Sequence, residues 1–420
     1  MRGENLSDRV QIIKGFQDIL PPRSRTLARF EDEARRVFGL YGYLEVRLPV
    51  LEKTELFARG IGPGTDIVDK EMYTFADRKE RSLSLRPEGT ASLVRAYLDA
   101  GKGRGEAVKW FYRGPMFRYE RPQKGRYRQF NQIGAEAIGY EGPGTDAELI
   151  AMLDRLWQPN EATGWPGVSS ARLEINSLGC RQCRPAYRAA LVKYLEGKRG
   201  ELCPECGERL ARNPLRVLDC KEPGCQEAVA GAPSTLDHLC EGCKTHFEGV
   251  KTDLDAVGVG YTVNPRIVRG LDYYTRTVFE YLADEGLGSQ NAIAAGGRYD
   301  NLVEEFGGPP TPAIGFAIGV ERVALLLGDQ PAPRPDYFIV AMGPEARAAG
   351  LKLLMSLRDR GLRAEMALDE LRSVKSQMKA AGKAGAAKVV VIGEEELKSG
   401  VLTVKDLETG EQGKCKAEEM

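Results

Sequence analysis

Apolar residues recur at helical spacing between about Pro22 and Tyr41, where Leu27, Phe30, Ala34 and Phe38 share one side of a predicted helix. A strand is expected over YLEVRLPVLE (43–52), with Pro49 at its end or on a sheet edge. Between 67 and 140 the pattern predicts several strands separated by one helix (ASLVRAYL, 91–98), hence an antiparallel sheet. YTVNPRIV and TRTVFEYL read as two more strands, and GGRYDNL leads through the loop GGPPTP to GFAIGVERVALLL, read as a helix. QPAPRP (330–335) is a stiff proline-rich linker. Beyond it YFIVAM, EARAAGLKLLMSLRDRG, AEMAL, a helix at 371–383 and VVVIG alternate as in a small α/β domain.

Composition narrows the chemistry. With 420 residues the chain has room for two to four domains, and 42% apolar with 29% charged residues is ordinary for a globular protein. Sixty basic and sixty acidic residues cancel, so any nucleic-acid site must come from local clustering. The two histidines, His238 and His246, fall in one stretch, which argues against Ser-His or Cys-His catalysis elsewhere. Arginine, carboxylates and bound metal ions are left to carry the chemistry. No signal-peptide pattern opens the chain and no run of about 18 apolar residues occurs, so a cytoplasmic protein without a membrane partner is expected.

Eight of the nine cysteines lie between 170 and 260, which reads as an insertion with its own core. Cys180-x2-Cys183 and Cys203-x2-Cys206 are nineteen residues apart, within the spacing of a four-thiolate zinc site. Cys220-x4-Cys225 and Cys240-x2-Cys243 fit a second, with His246 as a spare ligand, and Cys203/Cys206 with Cys240/Cys243 fit equally well. Structural Zn2+ is therefore expected, at one or two ions per chain; reduced thiols packed as small apolar residues are the plainer alternative.

Neither GxxxxGK[ST] nor GxGxxG occurs, so a nucleotide site would have to be built from side chains on a sheet. The segment from Lys109 to Arg128 offers them. Lys109, Arg113, Arg118, Arg121, Lys124, Arg126 and Arg128 face one acid, Glu120, and Trp110, Phe111, Tyr112, Phe117, Tyr119 and Tyr127 interleave. Arginine forks fit phosphate oxygens and aromatic faces stack on bases. Gln132 and Glu136, four apart on a strand, share a face with Gly134 between them, and Glu136 can accept an imidazole N–H.

FRYERPQKGRYRQF resembles motif 2 of class II aminoacyl-tRNA synthetases in the form found in histidyl-tRNA synthetases. The strand ending at Pro49 is similar to motif 1, SLRPEGT (84–90) to the amino-acid-binding segment, and IVRGLDYYTRTVFE (267–280) and AAGGRYDNL (294–302) to the two histidine signatures. GFAIGVERV (315–323) is similar to motif 3. The resemblance spans roughly 10–415 and implies an α+β fold: a class II antiparallel-sheet catalytic domain with a helical Cys-rich insertion, plus a C-terminal α/β anticodon-binding domain. The expected boundaries are 1–170 and 259–329 for the catalytic domain, 171–258 for the insertion, 330–335 for the linker and 336–420 for the anticodon-binding domain.

The implied activity is ATP-dependent ligation of L-histidine to tRNA(His) through histidyl-adenylate by a homodimer, with Mg2+ on the outer phosphates. By resemblance Arg118 and Arg269 hold the α-phosphate and Arg322 meets the adenine and γ-phosphate, the three being the catalytic set. Histidine contacts are implied for Glu88, Thr90, Arg118, Gln132, Glu136, Arg269, Tyr273, Tyr274 and Tyr299. ATP contacts are implied for Arg118, Glu120, Arg126, Phe130 and Arg322, and tRNA contacts for Arg121 and Gln123. Tyr273 and Tyr274, if extended, point to opposite faces. Arg372, Lys375, Lys379 and Lys383 fall on one helical face, ordinarily a solvated one; the resemblance turns them towards the anticodon. RQFNQ departs from the family's usual RQFHQ, with Asn131 where a histidine is usual. Two rivals remain: the non-catalytic regulatory paralogue that serves ATP phosphoribosyltransferase, which generally lacks the anticodon domain and ATP-binding arginines, and a zinc-ribbon nucleic-acid binder, which leaves RPEGT and RGLDYY without a role.

Overall fold

The computed structural model describes residues 10–62, 65–103, 106–287, 291–330, 332–368 and 373–420; Pro331 of the linker and Arg372 of the basic stripe lie outside them. The chain divides into two compact units, Met1–Gln330 and Pro331–Met420.

The first unit is built on an eight-stranded sheet. Its strand order is Leu44–Glu45, Val108–Phe117, Gln129–Ile138, Ala313–Gly319, Ala292–Arg298, Thr275–Ala283, Ala171–Ser177, Thr262–Val263. All inner pairings are antiparallel, and only the two short edge strands run parallel to their neighbours. Val108–Phe117 and Gln129–Ile138 form the longest hairpin, in register from Val108 opposite Ile138 to Phe117 opposite Gln129. One face is covered by the helices Arg23–Leu40, Pro143–Trp157 and Glu241–Ala256, which bury Phe30, Val37, Leu149, Leu153, Phe247 and Leu254 in the main core. Each such side chain contributes roughly 1.5–3 kcal/mol by leaving water. The opposite face carries a second cluster dominated by aromatics, among them Tyr97, Tyr112, Tyr273, Tyr274 and Tyr299.

Several sequence expectations need correcting. YLEVRLPVLE is not one strand: Leu44–Glu45 joins the large sheet, whereas Leu51–Lys53 joins a separate three-stranded sheet with Thr74–Ala76 and Ser82–Leu85. Pro49 lies in the break, where a residue with no N–H and a fixed φ ends one ladder before the next begins. GFAIG is strand, not helix; the helix is only Val320–Leu327. Gly315 and Gly319 disfavour helix, and the apolar run suits a strand covered on both faces. YTVNPRIV supplies only the two-residue strand Thr262–Val263. Ala171–Ser177, inside the span read as insertion, belongs to the large sheet, so the cysteine-bearing helices begin beyond it.

The second unit carries a five-stranded sheet in the order Ala364–Met366, Tyr337–Ala341, Lys388–Ile392, Leu402–Asp406, Gln412–Cys415. The first three strands are parallel, as the alternation predicted; the last two form an antiparallel hairpin that the alternation did not predict. The basic helix is Val374–Ala384, starting later than the expected 371. Ser373 caps it by accepting from the Ser376 N–H, and Gly385 closes it in the left-handed conformation.

Candidate active site

The aromatic face of the large sheet holds a fully buried carboxylate. Glu136 Oε1 accepts from the Thr90 hydroxyl at 2.8 Å and Oε2 from the Tyr299 hydroxyl at 2.6 Å. Burial and the nearby Glu88 charge push its pKa up to about 8, against the pull of those two hydroxyls. Glycines make the room. A Cβ on Gly315, opposite Glu136 in the sheet, would sit 1.5 Å from Oε2. A Cβ on Gly134 or Gly89 would sit 2.3 Å or 2.2 Å from the Tyr112 ring. Tyr112 is a pocket residue that the sequence pattern leaves among the interleaved aromatics; its pairing with Gly134 was the available signal.

Glu88 does more than face a ligand. Its two oxygens accept from the Thr90 and Ala91 N–H groups at 2.6 and 2.9 Å, at the start of helix Thr90–Asp99. Each keeps a lone pair, as does the Thr90 hydroxyl, so an ammonium group can still be received. Gln132 Oε1 is buried and has no protein partner among the described residues. Tyr273 and Tyr274 do not diverge: they lie in a turn, both buried, with ring centroids 4.7 Å apart, and Tyr273 meets Tyr299 edge-on at 5.7 Å. The extended backbone expected for them is absent because the strand begins only at Thr275.

Positive charge collects beside this pocket. Arg118 donates Nε to the Pro87 carbonyl at 2.9 Å and lies over the Phe130 ring at 5.5 Å. Arg126 pairs with Glu120, across a turn in which Gln123 and Arg126 exchange backbone hydrogen bonds and Arg121 and Gln123 are exposed. Arg322 donates to the carbonyls of Ala292 at 2.6 Å and Gly125 at 3.4 Å. Burial, then the charges of Arg126 and Arg118, lower its pKa. Arg269 pairs with Glu280 and lies 5.1 Å from the Tyr274 ring centroid, and its buried Nε has no partner among the described residues. Burial opposes the Arg269 charge, but Tyr274 and Glu280 outweigh it and raise its pKa. Glu280 was missed in the sequence because nothing in TRTVFE distinguishes it from a solvated acid. Asn131 donates both its backbone N–H and its side-chain amide to Glu321, all at 2.9 Å.

The cysteines form two groups, Cys180, Cys183, Cys240, Cys243 and Cys203, Cys206, Cys220, Cys225, with the sulfurs of each within 4.8 Å of one another. Neither pairing inferred from spacing is the one adopted. Cys180–Cys183, Cys180–Cys240 and Cys203–Cys220 sulfurs are 3.7, 3.8 and 3.9 Å apart, too far for disulfides and close to the roughly 3.8 Å edge of a tetrahedral zinc–thiolate site. The Cys240 and Cys203 N–H groups donate to the sulfurs of Cys183 and Cys225, at 3.0 and 3.1 Å. His246 is no ligand: it lies 2.8 Å from the buried Asp146, which also holds the fully buried Arg298. Lys375, Lys379 and Lys383 are exposed on the helix of the second unit. No helix among the described residues is long and apolar enough to cross a membrane.

A family model described as histidyl-tRNA synthetase matches residues 15–323, and one described as an anticodon binding domain matches 336–420. The chain is 53% identical over 403 residues to a histidine–tRNA ligase of Syntrophotalea carbinolica, covering 95% of this chain and 94% of that one. Its fold is similar to that of the apo histidyl-tRNA synthetase of S. aureus, with a TM-score of 0.78, 38% identity and 98% of each chain covered. It also shares its fold with a Bacillus halodurans protein described as an ATP phosphoribosyltransferase regulatory subunit/histidyl-tRNA synthetase. There the TM-score is 0.61 and the identity 22%, over 87% of this chain and 95% of that one.

Proposed function

The chain belongs to the histidyl-tRNA synthetase family of class II aminoacyl-tRNA synthetases, and we infer that it is a histidine–tRNA ligase. Histidine attacks the α-phosphate of ATP to give histidyl-adenylate and pyrophosphate, and the terminal ribose of the tRNA then takes the acyl group, releasing AMP. The observation that carries this reading is the company Arg322 keeps: among the described residues its guanidinium donates to carbonyls alone, with Arg126 and Arg118 bearing on it beside the acids Glu120 and Glu280, an arrangement suited to a polyanion. The regulatory alternative is not favoured, since those arginines and the anticodon-binding unit are both present.

Glu136 receives the imidazole N–H, with Tyr299 and Thr90 fixing its oxygens, while Tyr273, Tyr274 and Tyr112 wall the ring. Gln132, Glu88 and Thr90 receive the ammonium group. Arg118 and Arg269 hold the substrate carboxylate and α-phosphate, so catalysis is positional and electrostatic. Arg126, Phe130 and Arg322 take the adenine and outer phosphates. Glu120 and its half-buried neighbour Glu71 would offer hard oxygens to Mg2+, which would neutralise the outer phosphates of bound ATP.

Arg121 and Gln123 reach the tRNA acceptor end, and Lys375, Lys379 and Lys383 its anticodon stem. Exposed Leu40, Leu44, Val50 and Leu51, in and around the segment similar to motif 1, supply an apolar homodimer face. The two thiolate groups hold one structural Zn2+ each, which the sulfur spacing and the N–H···S bonds support. We assign its work to the cytoplasm.

Amino-acid-dependent ATP–pyrophosphate exchange across the twenty amino acids tests the activity: histidine alone supports strong exchange, and equal exchange with another amino acid refutes the assignment. Neutralising the three lysines lowers tRNA charging and leaves exchange unchanged. Elemental analysis of protein purified without chelator finds about two zinc ions per chain, and protein with no zinc refutes the metal assignment.

A further inference from the structure

The insertion touches the catalytic unit where the chemistry is most sensitive. Arg184 directly follows Cys183, and its guanidinium donates to the backbone carbonyls of Tyr274 and, at 3.4 Å, of Asp272. Asn213, in the segment between Cys206 and Cys220, donates its amide N–H to Asp272 Oδ1 at 3.2 Å. The backbone adds a third tie. Leu178 and Gly179, just before Cys180, exchange hydrogen bonds with Arg276 at 2.8 and 2.9 Å. Arg276 itself sits at φ +47°, a conformation that needs support from its surroundings. Each cysteine group thus has beside it a side chain that grips the loop Arg269–Tyr274.

That loop is held from the catalytic side by the Asp272 N–H bond to the Ile61 carbonyl, the Arg269–Glu280 pair and the packing of Tyr273 on Tyr299, and the insertion holds its other side. The loop is a turn rather than a strand, and it carries Arg269, Tyr273 and Tyr274. A shift of about 1 Å in such groups can cost on the order of 10²-fold in rate. We propose that Arg184 and Asn213 are positioning residues, through which the metal-braced insertion sets the loop Arg269–Tyr274 against the histidine and α-phosphate. Neither touches substrate; both act on backbone or on Asp272. A helical insertion anchored by two four-thiolate groups is a stiff enough support, and its removal from the loop loosens the pocket without altering any pocket side chain.

The inference rests on the reading of Arg269, Tyr273 and Tyr274 as substrate-binding, and the test separates the two. In full-length enzyme, histidine-dependent pyrophosphate exchange is measured for Arg184→Ala, Asn213→Asp and Arg269→Ala. Arg184→Ala raises KM for histidine about tenfold, with kcat within about threefold, as expected for two lost hydrogen bonds. Arg184→Lys, a single donor that cannot span both carbonyls, falls between it and the parent. If Arg184→Ala does not fold, the lysine variant carries that arm, and a KM at the parental value counts against the proposal.

Asn213→Asp is isosteric and sets two carboxylates face to face, raising KM about fivefold. The exchange Asn213→Asp/Asp272→Asn restores a donor–acceptor pair and returns KM to within twofold of the parent, which a merely structural defect would not do. Parental KM in Arg184→Ala and in Asn213→Asp, alongside an inactive Arg269→Ala, overturns the proposal. Parental activity in Arg269→Ala overturns the underlying site assignment instead.

Discussion

Glu136 and Arg322 are both ionisable side chains largely withdrawn from water, yet they are treated in opposite ways. Both Glu136 oxygens are satisfied by protein hydroxyls, Thr90 and Tyr299, and those hydroxyls sit on elements fixed by the sheet and by the helix Thr90–Asp99. Arg322 is given two carbonyls and two neighbouring guanidinium groups. The histidine side holds its Glu136 oxygens fixed before substrate arrives and leaves polar atoms such as Gln132 Oε1 open to the ligand, so its shape selects. The phosphate side sets Arg118, Arg126 and Arg322 around the carboxylate Glu120, which pairs with Arg126, and among the described residues no carboxylate bonds to Arg322, leaving that guanidinium for a bound polyanion. Specificity comes from pre-organisation and rate from electrostatic incompleteness. Four substitutions or titrations bear on that contrast.

The largest effect is expected at Arg269, stacked by Tyr274 and proposed to hold the α-phosphate, so that it belongs to both regions. Arg269→Ala lowers the exchange rate about 10²–10³-fold, the loss seen when one donor to a developing anion is removed. It also strands Glu280, a partly buried carboxylate whose pKa is already raised by desolvation. Arg269→Ala/Glu280→Gln separates the two causes: the rate stays low if the charge at phosphate is what matters. Recovery to within tenfold of the parent would mean that Arg269 serves Glu280 rather than substrate.

Glu136→Ala attacks the histidine side and leaves the hydroxyls of Thr90 and Tyr299 without their buried partner. A loss of about 10²-fold in kcat/KM for histidine is expected, with ATP affinity little changed. Unchanged selectivity in exchange assays over the amino acids would contradict the pocket.

Much of this was legible in the sequence, and the gaps have physical reasons. Gln132, Gly134 and Glu136 fall on one strand face because the period of two leaves no other choice. The motif order singles out Arg118, Arg269 and Arg322, although the pressure of Arg126 and Arg118 on Arg322 is a property of the folded surface. Tyr112 could have been found through its strand partner Gly134, but Glu280 and the cysteine grouping were not legible: nothing around Glu280 marks it as the partner of Arg269, and the sulfur that meets Cys180 lies sixty residues on. GFAIG was misread because a short apolar run carries no period that separates a buried strand from a helix.

A titration gives a smaller, sharper effect. With its pKa near 8, Glu136 is mostly protonated at neutral pH in the free enzyme, and its carboxylate is the stronger acceptor for an imidazole N–H. kcat/KM for histidine should therefore climb about tenfold from pH 7 to 9 and level off, and Glu136→Gln should lose the inflection. The sign for folding is the reverse. A carboxyl raised in the native state contributes stability that is present below its ordinary 4.5 and lost as pH passes about 8, so Glu136→Gln melts higher than the parent at pH 9. An inflection that persists in Glu136→Gln would assign the titration to another group.

The smallest effect is expected at Asn131, where the contrast meets its one departure from the family pattern. Asn131 lies one residue before Gln132 of the histidine pocket, and its two bonds hold Glu321, the neighbour of Arg322 on the phosphate side. Its hydrogen bonds join the strand of Gln132 to Glu321. Half of that link is a backbone N–H, which no substitution removes. Asn131→His keeps a side-chain donor at about the same reach, so exchange should stay within about threefold of the parent. Asn131→Ala removes the side-chain bond to a buried carboxylate whose pKa is already raised by burial, and should cost several-fold more, chiefly in KM for ATP because Arg322 follows Glu321. If the histidine variant instead outperforms the parent tenfold, the residue at 131 acts on substrate directly, and the division between a pre-organised histidine side and an open phosphate side fails at that point.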